Sequence, residues 1–381
     1  MIPVCEPVIG EEEIANVNEC LRTGWISSSG RFIDEFEESW AKACGAKYGI
    51  AVANGSVALD VAIQALGIGS GDEVIMPTFT IVSCATAIIR AGAIPVLVDS
   101  EPRTWGMDVS QIEEKITSRT RAIMVVHIYG HPADMDPVRA LAKRYNLKII
   151  EDAAEVHGAE YLSSRGTAAE EWRRCGQLGD VATFSFYANK LVTTGEGGML
   201  VTSDKKIADR ARSIKNLCFS PGRRFLHEEM GYNFRLTNIQ AAIGVAQVRR
   251  LDEVVRRKRQ IAHAYTALLA DIEQLELPVE EAWAKSVYWV YGLVLRESVS
   301  FDAAHLAGLL KDEGIETRPF FLGMHRQPAF LKLGLFAGEE AEFPVADRIA
   351  ERGLYLPTGI SITDEQIATV ARAVERSVRG A

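Results

Sequence analysis

Seven short apolar runs, rich in valine and isoleucine, constrain the fold of this chain more than any other feature. They cover residues 48–53, 73–76, 94–99, 122–127, 147–152, 181–186 and 199–202. Most of them are continuous rather than alternating, which indicates strands that are buried on both faces of a sheet. Windows of helical periodicity lie between several runs, at 56–66, 83–90 and 137–145. This alternation predicts an α/β fold built on a seven-stranded, mostly parallel sheet.

The pattern changes after about residue 236, which indicates a second unit. A long helical window at 237–269 is followed by a strand near 287–295 and by helices near 303–311 and 364–378. A chain of 381 residues is long enough for roughly two domains. We therefore predict a large domain over 1–250 and a smaller C-terminal α/β domain over 251–381, with the N-terminal dozen residues packing on the second domain.

Composition excludes some partners. The formal charge is −9, from 42 basic and 51 acidic residues, which argues against binding to nucleic acid or to an anionic membrane. The most basic stretch, 249–259, is expected to be a solvated helix face because acidic residues dilute it. The six cysteines lack metal-ligand spacing, and no run approaches the ~20 apolar residues of a membrane span. We expect a cytoplasmic protein with reduced thiols.

Lys190 is the first candidate for chemistry, because it is a single amine between an apolar strand and a glycine-rich turn. Burial lowers the pKa of an amine and makes it nucleophilic toward aldehydes, so this context favours a Schiff-base lysine. Gly195, Gly197 and Gly198 are expected to let the backbone approach a ligand closely. Taken alone, the same window also fits a lysine at a strand end that reaches water.

Two further segments favour ligand binding. Asp152 ends an apolar run, and ligands of α/β sheets bind at the carboxyl ends of strands, so its carboxylate is expected to face a bound cation. A strand also turns through Asn54, Gly55 and Ser56 into a helix, whose N-terminal N–H groups suit a phosphate. Ser185 precedes Lys190 by one strand length. Ordinary helix caps at both places remain the alternative.

Two rival motifs are disfavoured by their context. The glycines of Gly67-Ile-Gly69-Ser-Gly71 precede a strand instead of following one, so they do not open a helix toward a dinucleotide. His127 and His131 straddle a strand end and a turn, and therefore do not share a helical face as a metal pair would. We expect neither a nicotinamide dehydrogenase nor a metal site.

Seven segments in their order and spacing carry a family resemblance over nearly the whole chain. They are 24–30, 54–59, 71–80, 151–158, 184–190, 195–198 and 231–238. Together they resemble the DegT/DnrJ/EryC1/StrS family of sugar aminotransferases that depend on pyridoxal 5′-phosphate (PLP). The resemblance implies an aspartate-aminotransferase-type fold (PLP fold type I), working as a homodimer with active sites shared between subunits.

The resemblance also implies roles for individual residues. Lys190 would form the Schiff base with PLP, Asp152 would contact the pyridine nitrogen, and Glu155 would lie by the 3′-oxygen of the ring. The residues implied to hold the phosphate are Gly55, Ser56, Val57 and Ser185, with Asn233 supplied by the partner subunit. Those implied on the substrate side are Trp25, Ser27, Arg318 and His325.

Two departures from the family pattern are visible. Where the family often places an aromatic side chain against the cofactor ring, this chain has Ile81, so an aliphatic group is expected on the ring face. The segment 162–177 is longer than the usual hairpin at this place. We expect a surface loop there rather than an added lip of the site.

The implied reaction is transamination of a nucleotide-linked 4-keto-6-deoxy sugar, with glutamate as amino donor, for O-antigen or other polysaccharide biosynthesis. Segments 185–190 and 231–238 are most similar to those of members that convert GDP-4-keto-6-deoxymannose to GDP-perosamine. A UDP- or dTDP-linked keto sugar, aminated at carbon 3 or 4, stays open as the substrate. Lys190 argues against a 3-dehydratase, which carries histidine at that place. The intact Lys190, Asp152 and phosphate segment disfavour a regulatory or binding protein that uses the same fold without turnover.

Overall fold

The computed structural model describes residues 1–220, 222–339 and 342–379. Its strands are β1 (Tyr48–Val52), β2 (Glu73–Pro77), β3 (Ile94–Val98), β4 (Thr120–Val126), β5 (Lys148–Asp152), β6 (Glu160–Ser163), β7 (Glu171–Arg174), β8 (Val181–Ser185), β9 (Gly198–Thr202), β10 (Phe219–Ser220), β11 (Arg223–His227), β12 (Leu275–Glu276), β13 (Ala284–Lys285), β14 (Tyr291–Leu295), β15 (Arg318–Pro319) and β16 (Gly353–Leu356). Its α-helices are α1 (Glu11–Thr23), α2 (Arg31–Cys44), α3 (Gly55–Ala65), α4 (Ser83–Arg90), α5 (Met135–Tyr145), α6 (Lys205–Lys215), α7 (Asn238–Arg249), α8 (Leu251–Leu269), α9 (Ala303–Asp312), α10 (Pro328–Leu331), α11 (Pro344–Arg352) and α12 (Asp364–Arg379).

The central sheet contains all seven predicted strands, in the order β1-β9-β8-β5-β4-β2-β3. The pairs from β8 through β5, β4 and β2 to β3 are parallel, whereas β9 runs antiparallel to both β1 and β8. Strands β2 and β9 are buried along their whole length, as their continuous apolar character requires. The predicted seven-stranded, mostly parallel α/β fold is therefore confirmed.

The ends of two neighbouring strands position the functional residues. β5 and β8 are parallel neighbours, with Asp152 opposite Thr183 in the register, so Asp152 and Ser185 emerge at the same edge of the sheet. α3 begins near this edge, because Asn54 adopts an extended conformation and caps the helix with its side chain. Strand ends and a helix N-terminus therefore meet at one place.

A second sheet, β12-β14-β16-β15, forms the smaller layer of the molecule. Helices α8, α9 and α12 supply its buried apolar side chains, for example Tyr265, Leu306 and Val374. The first residues of the chain pack on it, since the Ile2 N–H donates to the Gly314 carbonyl at 2.7 Å. The predicted helical window 237–269 is two helices, which separate at Arg250. The domain boundary at residue 250 stays a prediction.

The expectation of a surface loop at 162–177 is wrong for residues 162–163 and 171–174, which form strands. Residues 160–163 and 171–174 form the hairpin β6–β7, and β13 adds a third strand. The hairpin is anchored because the Tyr161 hydroxyl donates to Asp134 at 2.7 Å and Arg165 forms an ion pair with the same carboxylate at 2.6 Å. The predicted loop is limited to the turn between the two strands.

The structure describes the helices of residues 1–220, 222–339 and 342–379. Not one of these helices has both the length and the apolar character that a membrane crossing requires.

Candidate active site

A cavity of about 660 Å³ opens at the edge of the sheet where β5 and β8 end. Eight of the residues predicted for the site line it: Gly55, Ser56, Val57, Ile81, Asp152, Glu155, Ser185 and Lys190. They come from five separate parts of the chain. The structure therefore brings together all of the predicted cofactor residues except Asn233.

The Lys190 amine lies within this cavity in a nearly dry environment. Its side chain is 10% exposed, and Nζ lies 3.9 Å from Glu155 Oε1 and 3.5 Å from the centroid of the Trp289 ring. Burial lowers the pKa of Lys190, while the charges of Glu155 and Asp152 oppose that shift. The uncharged, nucleophilic form of the amine is thus more accessible than in a solvated lysine.

Glu155 is the acidic neighbour of that amine. Its Oε2 accepts the Tyr129 N–H at 2.6 Å, and Tyr129 adopts a left-handed conformation with φ of 53°. Burial raises the pKa of Glu155, while Lys190 and the Tyr129 N–H counteract this rise. A non-glycine residue in this region is strained, so the backbone of Tyr129 is held there to aim its N–H at the carboxylate.

Asp152 is 3% exposed and ends β5 at the cavity wall. Its Oδ1 accepts the Ala154 N–H at 3.1 Å, and its Oδ2 accepts the Cys84 thiol at 3.0 Å. Within the described ranges, no lysine, arginine or histidine nitrogen lies within 4.0 Å of this carboxylate. A buried carboxylate without a cation is costly, so this one is suited to a ligand that brings a positive charge.

The start of α3 forms a cradle for an anion. Asn54 Oδ1 accepts the Val57 N–H at 3.0 Å, which leaves the N–H groups of Gly55 and Ser56 without a carbonyl of a preceding turn. The hydroxyls of Ser56 and Ser83 lie 2.7 Å apart beside them. A Cβ on Gly55 would lie 2.7 Å from Ser185 Cβ, so only glycine allows α3 to approach β8 this closely.

Five predicted site residues lie outside the cavity lining: Trp25, Ser27, Asn233, Arg318 and His325. Trp25, Ser27 and Asn233 are exposed at the surface of this chain. Arg318 is exposed and pairs in register with Tyr355, which does line the cavity. His325 is fully buried, with Nδ1 2.7 Å from Thr78 Oγ1 and Nε2 2.9 Å from Asp347 Oδ1, so its two ring nitrogens are already occupied.

Sequence reasoning missed several residues that line the cavity: Thr80, Ser83, Asn189, Trp289, Phe321 and Tyr355. Trp289 Nε1 donates to the Asn189 carbonyl at 2.8 Å, which fixes the ring over Lys190. The buried Asn189 Oδ1 has no hydrogen-bond partner among the described residues, as expected for a group that meets a ligand. Adjacency to Lys190 was a signal for Asn189, whereas Trp289 follows 99 residues later and had none.

The role expected for the glycines after Lys190 is wrong. Gly195, Gly197 and Gly198 are absent from the cavity lining, which includes only Glu196 from this turn. A Cβ on Gly198 would lie 2.3 Å from the Asn54 carbonyl oxygen, so this glycine allows β9 to approach the turn before α3. Gly198 thus supports the cradle from behind, and the three glycines lie outside the cavity lining.

The start of α3, the Asp152 carboxylate and the Lys190 amine together fit PLP. A helix N-terminus with hydroxyls suits its phosphate, an uncompensated buried carboxylate suits its protonated ring nitrogen, and a buried amine suits its aldehyde. This site on a seven-stranded, mostly parallel sheet with a smaller C-terminal layer is that of an aminotransferase of PLP fold type I.

Comparison with known proteins agrees with this class. The chain belongs to the DegT/DnrJ/EryC1/StrS aminotransferase family, whose model matches residues 7–375. It is similar to the GDP-perosamine synthase of Escherichia coli O157:H7, with 40% identity over 98% of this chain and 97% of the relative. It is 42% identical to the GDP-perosamine synthase of Caulobacter vibrioides over 98% of each chain. The solved structure of the aminotransferase TlmJ from Streptoalloteichus hindustanus superposes with a TM-score of 0.90 and 32% identity, covering 100% of this chain and 99% of that one.

These findings confirm three predictions, namely the family, the aspartate-aminotransferase-type fold and the class of enzyme. The chain is an aminotransferase of a family that depends on PLP. The individual site residues remain predictions that rest on their geometry.

Proposed function

We propose that this enzyme uses PLP to transfer the amino group of glutamate to carbon 4 of GDP-4-keto-6-deoxymannose, giving GDP-perosamine. The observation that carries the proposal is the pairing, in one cavity, of the buried Lys190 amine with the uncompensated Asp152 carboxylate. The choice of sugar is supported by relatives named GDP-perosamine synthase at 37–42% identity over 98% of the chain. UDP- and dTDP-linked keto sugars are the alternative substrates.

The chain's own residues would hold the cofactor by three contacts. The N–H groups of Gly55 and Ser56, with the Ser56, Ser83 and Ser185 hydroxyls, would bind the phosphate. Asp152 would accept a hydrogen bond from the protonated ring nitrogen, which keeps that nitrogen positively charged. Ile81, which is 40% exposed in the cavity, would lie against the ring. Bound there, PLP supplies an electron sink that stabilises negative charge on the reacting substrate carbon.

Lys190 would then move the protons. Its Nζ would remove the proton from the α-carbon of glutamate and later deliver a proton to carbon 4 of the sugar. Burial that lowers the pKa of this amine favours its uncharged, proton-accepting form near neutral pH. Glu155, whose Oε1 lies 3.9 Å from Lys190 Nζ, would bind the ring's 3′-oxygen by a hydrogen bond and orient the amine.

We further propose that two copies of the chain share each active site. Asn233 is exposed and outside the cavity of its own chain, which suits a residue that reaches the phosphate site of a partner. Large apolar side chains are also exposed, among them Met230 at 93%, Phe225 at 77% and Trp25 at 57%. We take these side chains as candidates for the surface that the partner subunit covers. Trp25 and Ser27 would contact the sugar nucleotide across that interface.

The visible absorption spectrum of the purified, PLP-loaded protein tests the first half of this proposal. We expect a yellow band that bleaches when glutamate is added, because the amino group passes to the cofactor. The aminated protein is then mixed with GDP-, UDP- and dTDP-linked 4-keto-6-deoxy sugars, and only the GDP sugar is expected to restore the band rapidly. Recovery with another nucleotide would replace the proposed substrate, and a protein that takes up no PLP would refute the proposal as a whole.

Replacing Ile81 by phenylalanine is expected to tighten PLP binding. An aromatic ring stacked on the cofactor is worth about 0.5–1.5 kcal/mol beyond its area, or roughly 2- to 10-fold in the dissociation constant. Val82→Phe is the matched control, because Val82 is equally exposed at 40% but does not line the cavity. Equilibrium titration of the apoprotein with PLP measures both variants. Equal affinities for the two would show that Ile81 does not face the ring.

A further inference from the structure

The Cys84 thiol is an unexplained neighbour of the proposed cofactor site. Cys84 lies in the first turn of α4, is 0% exposed, and donates to Asp152 Oδ2 at 3.0 Å. Thr80, which lines the cavity, has its hydroxyl 3.5 Å from the same sulfur. Hydrogen bonds thus connect the side chains of Thr80, Cys84 and Asp152.

Electrostatics determine the direction of these hydrogen bonds. Burial raises the pKa of the Cys84 thiol well above its usual range, and the charge of Asp152 adds to this shift. The sulfur therefore keeps its proton, and this single S–H donates its hydrogen bond to Asp152 Oδ2. Thr80 is then the donor to the sulfur. Glu155 and Lys190 are the other ionisable groups whose charges act on this pair.

Cys84 and the Ala154 N–H together fix the plane of the carboxylate. One donor lies on each oxygen, so the remaining lone pairs are oriented, and among the described residues no side-chain cation lies within 4.0 Å of them. A thiol is a weak donor, so it orients the carboxylate while leaving most of its negative charge for a ligand. A lysine or arginine at this place would cancel that charge instead.

We propose that Cys84 is a positioning residue that aims the Asp152 carboxylate at the ring nitrogen of the cofactor. The inference rests on the proposed function, since it concerns how Asp152 meets PLP. It adds a part of the machinery that acts only through Asp152 and does not itself touch the cofactor. Protonation of the ring nitrogen would therefore depend on the hydrogen bond that the Cys84 thiol donates to Asp152.

Cys84→Ala and Cys84→Ser separate the hydrogen bond from packing. Cys84→Ala is expected to weaken PLP binding by about 3- to 10-fold, the scale of one ordinary hydrogen bond. It should also raise the pH midpoint of the visible band, because a weaker hold on the ring proton makes the nitrogen joined to Lys190 more basic. Cys84→Ser keeps a donor and should behave like the natural protein. Cys175→Ala, a buried thiol outside the cavity lining, controls for lost volume.

Two results would overturn the inference. One is a Cys84→Ala protein whose visible band has the same pH midpoint as that of the natural protein. The other is a Cys84→Ser protein whose pH midpoint shifts as far as that of Cys84→Ala.

A measurement without cofactor tests the Cys84 contact separately from the proposed function. In the infrared spectrum of the apoprotein, the S–H stretching band of Cys84 is the one that disappears in Cys84→Ala. Its frequency should be that of a hydrogen-bonded thiol. The same band should change frequency in Asp152→Asn. If the natural protein takes up no PLP, the proposed function fails while this band still tests the Cys84 contact.

Discussion

Replacing Lys190 by alanine is expected to abolish turnover. The variant loses the group that transfers protons, which alone is worth about 10²–10⁴ in rate, and it also loses the covalent anchor of the cofactor. Formation of the amino sugar, in the presence of glutamate and keto sugar and over many turnovers, is the measurement. Lys258→Met is the matched control, since Lys258 is also buried but donates to the Thr358 carbonyl at 2.8 Å outside this cavity. It should lower stability and keep catalysis, whereas turnover by Lys190→Ala would refute the assignment.

The same variant tests whether the sites are shared. Lys190→Ala and Asn233→Ala subunits are each expected to be impaired alone. In a mixed dimer, one site would combine the Lys190 of one chain with the Asn233 of the other, and that site would be intact. Mixing the two under conditions of subunit exchange should therefore restore activity, up to about one site in four. Absence of any recovery, with exchange verified by mass, would mean that Asn233 serves its own chain.

The strands and the central groups of the site were predictable because both depend on local patterns. Continuous apolar runs mark strands buried on two faces, and the carboxyl ends of parallel strands meet at one edge, which brings Asp152 and Ser185 together. Lys190 stands out because a lone amine in an apolar segment is unusual. Each of these inferences requires only the residues within one strand and its following turn.

The remaining features depend on contacts between distant segments, which local patterns do not report. The Trp289 ring over Lys190 and the Cys84 thiol on Asp152 join residues that are about 70 to 100 positions apart. The strand residues within 162–177 were predicted as loop because the outer strand β7 is polar and pairs only at an edge. The family resemblance implied a substrate-side role for His325, and the sequence carried no sign that Thr78 and Asp347 lie within hydrogen-bond distance of its two ring nitrogens.

The Asp152→Asn variant is expected to bind PLP but to react slowly with glutamate. Asparagine keeps the shape of the side chain and removes the charge that holds the proton on the ring nitrogen. Loss of a charge-assisted hydrogen bond, about 1.5–3 kcal/mol, should raise the PLP dissociation constant at least about tenfold. Bleaching by glutamate should slow by about 10²–10³-fold, the effect of removing one preorganised partner of developing charge. Stopped-flow absorbance at saturating PLP separates the slower reaction from the weaker binding.

Asp99→Asn provides the control that makes this result specific. Asp99 also follows a parallel strand of the central sheet, is 2% exposed, and accepts backbone N–H groups, from Val345 and Ala346, at 3.0 and 2.9 Å. Its loss should lower the free energy of unfolding, because two buried donors lose an ionised acceptor, but the bleaching rate should stay unchanged. If Asp99→Asn slowed bleaching as much as Asp152→Asn, the effect would be structural. If Asp152→Asn bleached at the natural rate, the ring proton would be held by another group.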